Sequence, residues 1–395
     1  MSGLMSKFYV NGVSPAVRGG GVLFTAGPIC TSTAVRNAQT VDYGSRDKVF
    51  ISAVKEIRSK LLHVGCCDPS EWASIIMQGS GTMGVEAVIN STAKRGPDAN
   101  YLVVRNGAYG ARMASVVEKL GLPLITFDVD EGKEVDLVKF QEFISSQKKN
   151  VTNFGVVHCE TSTGMFNPIH GISRLVRRSF PTSTIFVDAM SSFGGVQFKV
   201  PDVCDILVTS SNKCIQGIPG FSIVLAKKSL LEAYRGQSTS YTLDVVKQYD
   251  GLEQNNGQFN NTPPVQAIMA FLQALQEHEK EGGTTAREER YKEMSAYISS
   301  RMQDFGFSLF LDPRSTSFGH IITAFNSPVS NTKWNFSEFY SRLNVKGFVI
   351  YPGKASKADT FRIGSLGDIS MDDCRALMNA TEEVMQEMNL ILNVK

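Results

Sequence analysis

No apolar run in this 395-residue sequence approaches the roughly 20 consecutive residues that a membrane-spanning helix needs, so no membrane span is expected. Charge of one sign is not in excess either. Forty Lys and Arg against 38 Asp and Glu leave a net +2, too small a balance to bring the chain to a nucleic acid by electrostatics. Cysteine pairs are missing. The seven cysteines, at 30, 66, 67, 159, 204, 214 and 374, are odd in number, irregularly spaced and without a Cys-x-x-Cys, which points to packed, reduced thiols and a cytoplasmic setting rather than a disulfide framework. Cys66 and Cys67 lie near His63, but adjacent cysteines cannot readily share one tetrahedral ion, so no metal site is expected. A Walker loop and a GxGxxG fingerprint are both absent, as are internal repeats and low-complexity tracts. Acidic residues are lacking at the start, where Lys7, Arg18 and Arg36 precede the first carboxylate, Asp42. With basic residues so sparse and no amphipathic helix, residues 1–22 read as a Gly- and Ser-rich extension rather than an organelle-targeting peptide.

What is present is an ordinary globular composition, 42% hydrophobic and 20% charged, able to bury a large core. From residue 23 onward, strand-like and helix-like runs alternate. Apolar runs at 74–77, 101–104, 124–127, 154–158, 184–187, 206–208 and 222–225 have strand length, and helical patterns lie at 83–93, 111–120 and 136–145. That alternation predicts an α/β fold with a mainly parallel sheet covered on both faces. After about residue 285 the texture changes to a long charged helix from 286 toward 305, short strands at 320–325, 348–351 and 360–363, and a closing helix at 371–390, whose methionines are expected in the core. The expected division is an extension at 1–22, a large domain at 23–285 and a smaller α+β domain at 286–395.

Ligands of parallel sheets sit beyond the carboxyl ends of the strands, and three polar clusters fall there. Gly79-Ser80-Gly81-Thr82 stands between a strand and a helix, where backbone N–H groups and a helix N-terminus suit a phosphate, though the same residues make a common turn. Asp188 ends the apolar strand at 184–187, either as a cap for the small residues that follow or as the partner of a cation. Lys213 lies just past the strand at 206–208. Most lysines are solvated, yet one at a strand end is placed to form a Schiff base with an aldehyde. A phosphate cradle, an acid and then a lysine are the three groups that pyridoxal phosphate asks for with its phosphate, ring nitrogen and aldehyde. His158 reads as a satisfied strand-end histidine, and His278, among charges, as a solvated one.

The sequence resembles the class V group of fold-type I, pyridoxal-phosphate-dependent aminotransferases. The resemblance rests on Phe24-Thr25-Ala26-Gly27-Pro28, Gln78-Gly79-Ser80-Gly81, Asn106-Gly107-Ala108-Tyr109-Gly110-Ala111-Arg112-Met113 and Glu160-Thr161-Ser162-Thr163-Gly164-Met165. It continues through Val187-Asp188-Ala189-Met190-Ser191-Ser192-Phe193-Gly194-Gly195, Asn212-Lys213-Cys214-Ile215-Gln216-Gly217, Phe348-Val349-Ile350-Tyr351-Pro352-Gly353-Lys354 and Phe361-Arg362-Ile363-Gly364. The runs from Asn106 to Met113 and from Asp188 to Gly195 are typical of the branch whose members take 2-aminoethylphosphonate as donor and pyruvate as acceptor. The resemblance implies that Lys213 carries the cofactor aldehyde and that Asp188 pairs with the protonated ring nitrogen. It implies that Ser80, Gly81 and Thr82 hold the phosphate, that Tyr109 stacks on the ring, and that Thr161, Ser191 and Asn212 complete the cofactor site. Arg362 and Gly27 would meet the substrate. Thr262 would reach the phosphate of a neighbouring subunit, making the protein a homodimer with shared active sites. Two rivals stand beside this reading: a class V enzyme that uses alanine or serine with glyoxylate or pyruvate, and a non-catalytic protein that keeps the fold.

Overall fold

The computed structural model describes residues 20–96, 98–353 and 358–392. Residues 1–19 of the expected extension, and Lys354 of the Tyr351-Pro352-Gly353-Lys354 run, lie outside the described residues.

The expected strands assemble into one seven-stranded sheet in the order Trp72–Gln78, Phe221–Lys227, Ile206–Ser210, Thr184–Asp188, Asn153–Val157, Tyr101–Arg105, Leu124–Asp128. The last five run parallel. Phe221–Lys227 is antiparallel to both of its neighbours. The reason is in the connection. A parallel crossover needs a dozen or more residues, usually a helix, and the chain between Ser210 and Phe221 holds only residues 211–220 without one. The chain therefore doubles back, and the returning loop carries Lys213. Strands buried on both faces need no alternation, and Asn153–Val157, Thr184–Asp188 and Ile206–Ser210 are buried at every position.

Several helices carry weaker sequence signals than the strands and were not expected: Ile169–Ser179, Val245–Gln254, Val265–Glu281 and Phe336–Val345. Val265–Glu281 buries Ile268, Phe271, Ala274, Leu275 and His278, one stripe at helical spacing. His278 therefore belongs to the buried face of its helix. It is 2% exposed, and the expectation of a solvated side chain is corrected.

Two apolar cores result. One surrounds the seven-stranded sheet and runs in sequence from Val35 to Leu275. The other gathers Tyr291, Met294, Phe325, Phe361, Leu377, Met378 and Met388 with Val22, Phe24 and Ile29 from the start of the described chain. Val22–Leu23 is a short strand that pairs in parallel with Phe348–Val349. The single strand expected at 348–351 is broken in two. Phe348–Val349 pairs with Val22–Leu23, and Tyr351–Pro352 joins the antiparallel sheet of Ile322–Asn326 and Thr360–Gly364. All seven cysteines are free thiols. No helix among the described residues is long and apolar enough to cross a membrane.

Candidate active site

The carboxyl ends of the parallel strands bring the singled-out residues to one end of the sheet. Asp188 is the last residue of its strand and pairs in register with Val208, so the loop carrying Lys213 leaves the sheet next to it. Asp188 is 2% exposed. The backbone N–H of Met190, 2.9 Å from its Oδ1, is its one hydrogen-bond donor among the described residues. A carboxylate so deep with a single donor is costly to ionise, and burial pushes its pKa up to about 6, with Arg112 and Lys213 pulling the other way. The local turn onto Met190 and the demand for a cationic partner are thus both present, the two roles that the sequence had left open.

Lys213 is half-buried, and its Nζ donates to the Ala26 carbonyl at 2.5 Å. Burial pulls its pKa below the ordinary lysine value. Gly27 sits against this amine. Its φ of +109° is a left-handed conformation, and a Cβ there would collide with Lys213 Nζ, so glycine is required for two reasons. Gly27 thus lies beside the amine.

Ser80 caps the helix Gly81–Thr92, its hydroxyl accepting from Met83 N at 3.4 Å. Such a cap contributes about 1 kcal/mol to a helix and leaves other first-turn N–H groups free for an anion. Gly81 has no room for a Cβ, because Met190, two residues past Asp188, lies against it. Thr82 follows in the first turn. The turn at 79–82 and the loop after Asp188 are therefore in direct contact.

Glu160 received no role from the sequence, and the structure makes it central. It is fully buried. Its carboxylate accepts from Tyr109 N at 3.1 and 3.2 Å, Gly110 N at 3.0 Å and Ser162 Oγ at 2.6 Å. The helix Ala108–Lys119 has Gly107 at its N-cap with no side chain to offer, so Glu160 caps it from across the sheet and fixes Tyr109. A Cβ on Gly107 would strike the Glu160 side chain. Burial raises the Glu160 pKa against the pull of these donors. The signal that could have found it is an acidic residue shortly past the apolar run at 154–157, a weaker form of the signal that singled out Asp188.

Arg362 is 5% exposed, on the strand Thr360–Gly364. Its Nη1 donates to Thr161 O at 2.8 Å and its Nε to Pro352 O at 3.1 Å. Burial draws its pKa below the ordinary guanidinium value, while Tyr109 and Glu160 oppose that. Thr161, which is buried, and Tyr109 therefore stand beside Arg362. The Arg112 guanidinium lies over the Tyr109 ring, 4.6 Å from its centroid. Ser191 is buried, its carbonyl accepting from Cys214 Sγ at 3.2 Å, and Asn212 Oδ1 accepts from Ser210 Oγ at 3.1 Å. Thr262 is the outlier. It is exposed, and among the described residues it is tied to the group through its carbonyl, which accepts from Gln78 Nε2 at 2.7 Å. His158 is satisfied as expected, Nδ1 lying 2.9 Å from Ser192 Oγ, and burial lowers its pKa to about 3. No group of three or more His, Cys, Asp or Glu among the described residues is placed to hold a metal ion.

Residues 35–354 match the family described as Aminotransferase class-V. The chain belongs to that family. This class V aminotransferase is 40% identical over 363 residues to the bifunctional phosphonoacetaldehyde hydrolase/aminoethylphosphonate transaminase of Clostridioides difficile strain 630, covering 92% of this chain and 56% of that protein. It therefore spans a little over half the length of that relative. It is 39% identical over 359 residues to the 2-aminoethylphosphonate–pyruvate transaminase of Bacillus cereus ATCC 14579, covering 91% of this chain and 96% of that one. Among solved structures, the pyridoxamine–pyruvate aminotransferase of Mesorhizobium loti superposes with a TM-score of 0.85 at 21% identity, covering 98% of this chain and 96% of the other. That likeness confirms the fold.

The residues fit pyridoxal phosphate. The class V aminotransferase offers a buried carboxylate short of donors, a half-buried amine of lowered basicity, and a capped helix N-terminus in contact with the loop between them. A ring nitrogen, an aldehyde and a phosphate are the three partners that these groups lack.

Proposed function

We propose that this class V aminotransferase is pyridoxal-phosphate-dependent and transfers the amino group of 2-aminoethylphosphonate to pyruvate, giving phosphonoacetaldehyde and L-alanine. The observation that carries the reading is the juxtaposition of Lys213 and Asp188 at neighbouring strand ends, with the buried guanidinium of Arg362 beside Tyr109 and Thr161. The printed names of the relatives supply the donor and the acceptor.

In this reading Ser80, Gly81 and Thr82 hold the phosphate, Tyr109 lies on the ring, and Thr161, Ser191 and Asn212 line the rest of its pocket. When bound, the cofactor supplies an aldehyde carbon and a cationic ring that draws electrons from the bonds of the donor carbon. Asp188 keeps the ring nitrogen protonated, since a carboxylate beside it favours the charged form. Lys213 would hold the aldehyde and, once displaced by the donor amine, would move a proton on Nζ from the donor carbon to the cofactor's aldehyde carbon. That work needs a neutral amine, and the burial that lowers its basicity favours one. Arginine at 213 could not serve, being always charged. Arg362 takes the phosphonate of the donor and the carboxylate of pyruvate in turn, because its planar fork suits both anions. Gly27 leaves the space in which the donor meets the amine. The assembly is a homodimer, with Thr262 of one chain serving the phosphate of the other.

The deciding experiment is a donor screen with pyruvate as acceptor. Alanine should form one for one with phosphonoacetaldehyde, and Lys213→Ala should abolish turnover together with the visible absorbance of the bound cofactor. Turnover of serine or alanine with glyoxylate, and none of 2-aminoethylphosphonate, would replace the donor. A Lys213→Ala protein that still transaminates would remove the mechanism.

A further inference from the structure

A cavity of about 720 Å³ lies away from all of these residues, and none of them lines it. Its walls come from the end of the helix Lys48–Val64, the segment at 197–202, and the junction between the helices Val265–Glu281 and Gly283–Asp304. The volume is in the range of small-molecule sites.

Three features of the lining specify a ligand. The first is His278, 2% exposed and on the cavity wall. Its Nε2 lies 2.8 Å from the Gly194 carbonyl, which can only accept, so Nε2 carries the proton. Nδ1 is then a lone-pair acceptor without a partner among the described residues. Burial lowers the pKa of this imidazole to about 4, so it stays neutral and keeps that lone pair, and Nδ1 is not among the polar atoms shut off from solvent. The second feature is the start of the 22-residue helix Gly283–Asp304, where Gly282 at the N-cap offers no side chain and Gly283, Thr284 and Thr285 line the cavity. The free N–H groups of that first turn favour an anion. The third is charge. Lys60 is held by Glu279 at 2.6 Å, which leaves Lys199 as the lysine facing the space, with the carboxylates of Asp202 and Glu279 and the imidazoles of His63 and His170 also on its wall.

We infer that this cavity binds a small carboxylic or phosphonic acid that also bears an O–H or N–H donor, a hydroxy or amino acid. The acid group sits at the helix start with Lys199, and the donor group meets His278 Nδ1. The site is tied to the catalytic end of the molecule by the same histidine. Gly194, which His278 grips, is in the loop that follows Asp188, and Phe198 on the cavity wall packs edge-on against His158, with ring centroids 4.9 Å apart.

The test is isothermal titration of the cofactor-loaded protein with L-lactate, a hydroxy acid that has no amine to react. Arg362→Ala removes the guanidinium at the other site and should leave lactate binding in place. Lys199→Ala, in either background, should weaken it about ten- to a hundredfold, the loss expected for one charge-assisted contact. Acetate, which has the acid but no donor, should bind several-fold more weakly than lactate, since it forgoes the hydrogen bond to His278 Nδ1. Lactate binding that vanishes in Arg362→Ala and survives in Lys199→Ala overturns the inference, as does equal binding of acetate, or no binding at all. None of these readings depends on turnover, so the inference and the proposed reaction fail separately.

Discussion

Asp188 illustrates how a single side chain can be at odds with its surroundings until a ligand arrives. Its folded pKa of about 6 lies above the ordinary 3.8, so the cofactor-free protein binds more protons than the unfolded chain between those values. Stability from this group is therefore full below pH 4 and is lost as pH rises through 6, by roughly 3 kcal/mol. Urea unfolding of the cofactor-free protein should show wild type losing about that much relative to Asp188→Asn between pH 4 and 7. A difference between the two that does not change with pH would mean the carboxylate is better solvated than its burial implies. Cofactor binding should offset the loss, because the ring nitrogen is the missing cation. Asp188 and Lys213 were legible in the sequence because a charge at the end of an apolar run is conspicuous. Glu160 lies beyond its apolar run, past His158 and Cys159, so its mark is weaker, and the sequence gives no hint that its partners are backbone N–H groups some 50 residues earlier. His278 misled for the opposite reason. Its neighbours Glu277 and Glu279 are charged, but periodicity, counted from Phe271, places it inward.

At the scale of elements, the helix Ala108–Lys119 depends on an acid that it does not contain. Glu160→Gln keeps the shape but supplies one acceptor oxygen for the N–H groups of Tyr109, Gly110 and Ser162 that two oxygens share, leaving a donor unpaired. The expected loss is about 1–3 kcal/mol of stability. Because Tyr109 is the residue displaced, cofactor affinity should fall with it. Thermal melts with and without pyridoxal phosphate separate the two effects, and an unchanged cofactor affinity would show that Tyr109 is held by other means. The parallel strands were legible because burial on both faces makes them continuous apolar runs. The orientation of Phe221–Lys227 was not, because an apolar run looks the same in either direction and only the length of the link decides. The helix Val245–Gln254 was faint in the sequence because its buried face is mostly Val and Gly, whereas Val265–Glu281 carries Ile268, Phe271 and Leu275 at helical spacing, a stripe masked by the charged residues around it.

For the whole molecule, the proposed dimer makes a prediction that no single subunit can satisfy. Chains carrying Lys213→Ala and chains carrying Thr262→Ala, dissociated and mixed, should regain activity above that of either parent. The hybrid has one site with its own lysine and the other subunit's threonine. No gain on mixing would mean that Thr262 serves its own chain, or that it serves none. The two cores are also joined at the lysine. The carbonyl that receives Lys213 Nζ belongs to Ala26, in the segment that packs with the second core, whereas the lysine loop springs from the first.

The hairpin-like return between Ser210 and Phe221 has a last implication. Both ends of that loop are clamped to paired strands, so its reach has a fixed number of backbone units in which to present an amine. Exchanging side chains along it alters chemistry, whereas adding or removing one unit alters where the nitrogen points. Any change of length in the segment at 211–220 should therefore be poorly tolerated, the reverse of what surface loops generally allow, and substitution is limited as well where Cys214, Ile215, Gln216 and Gly217 are buried.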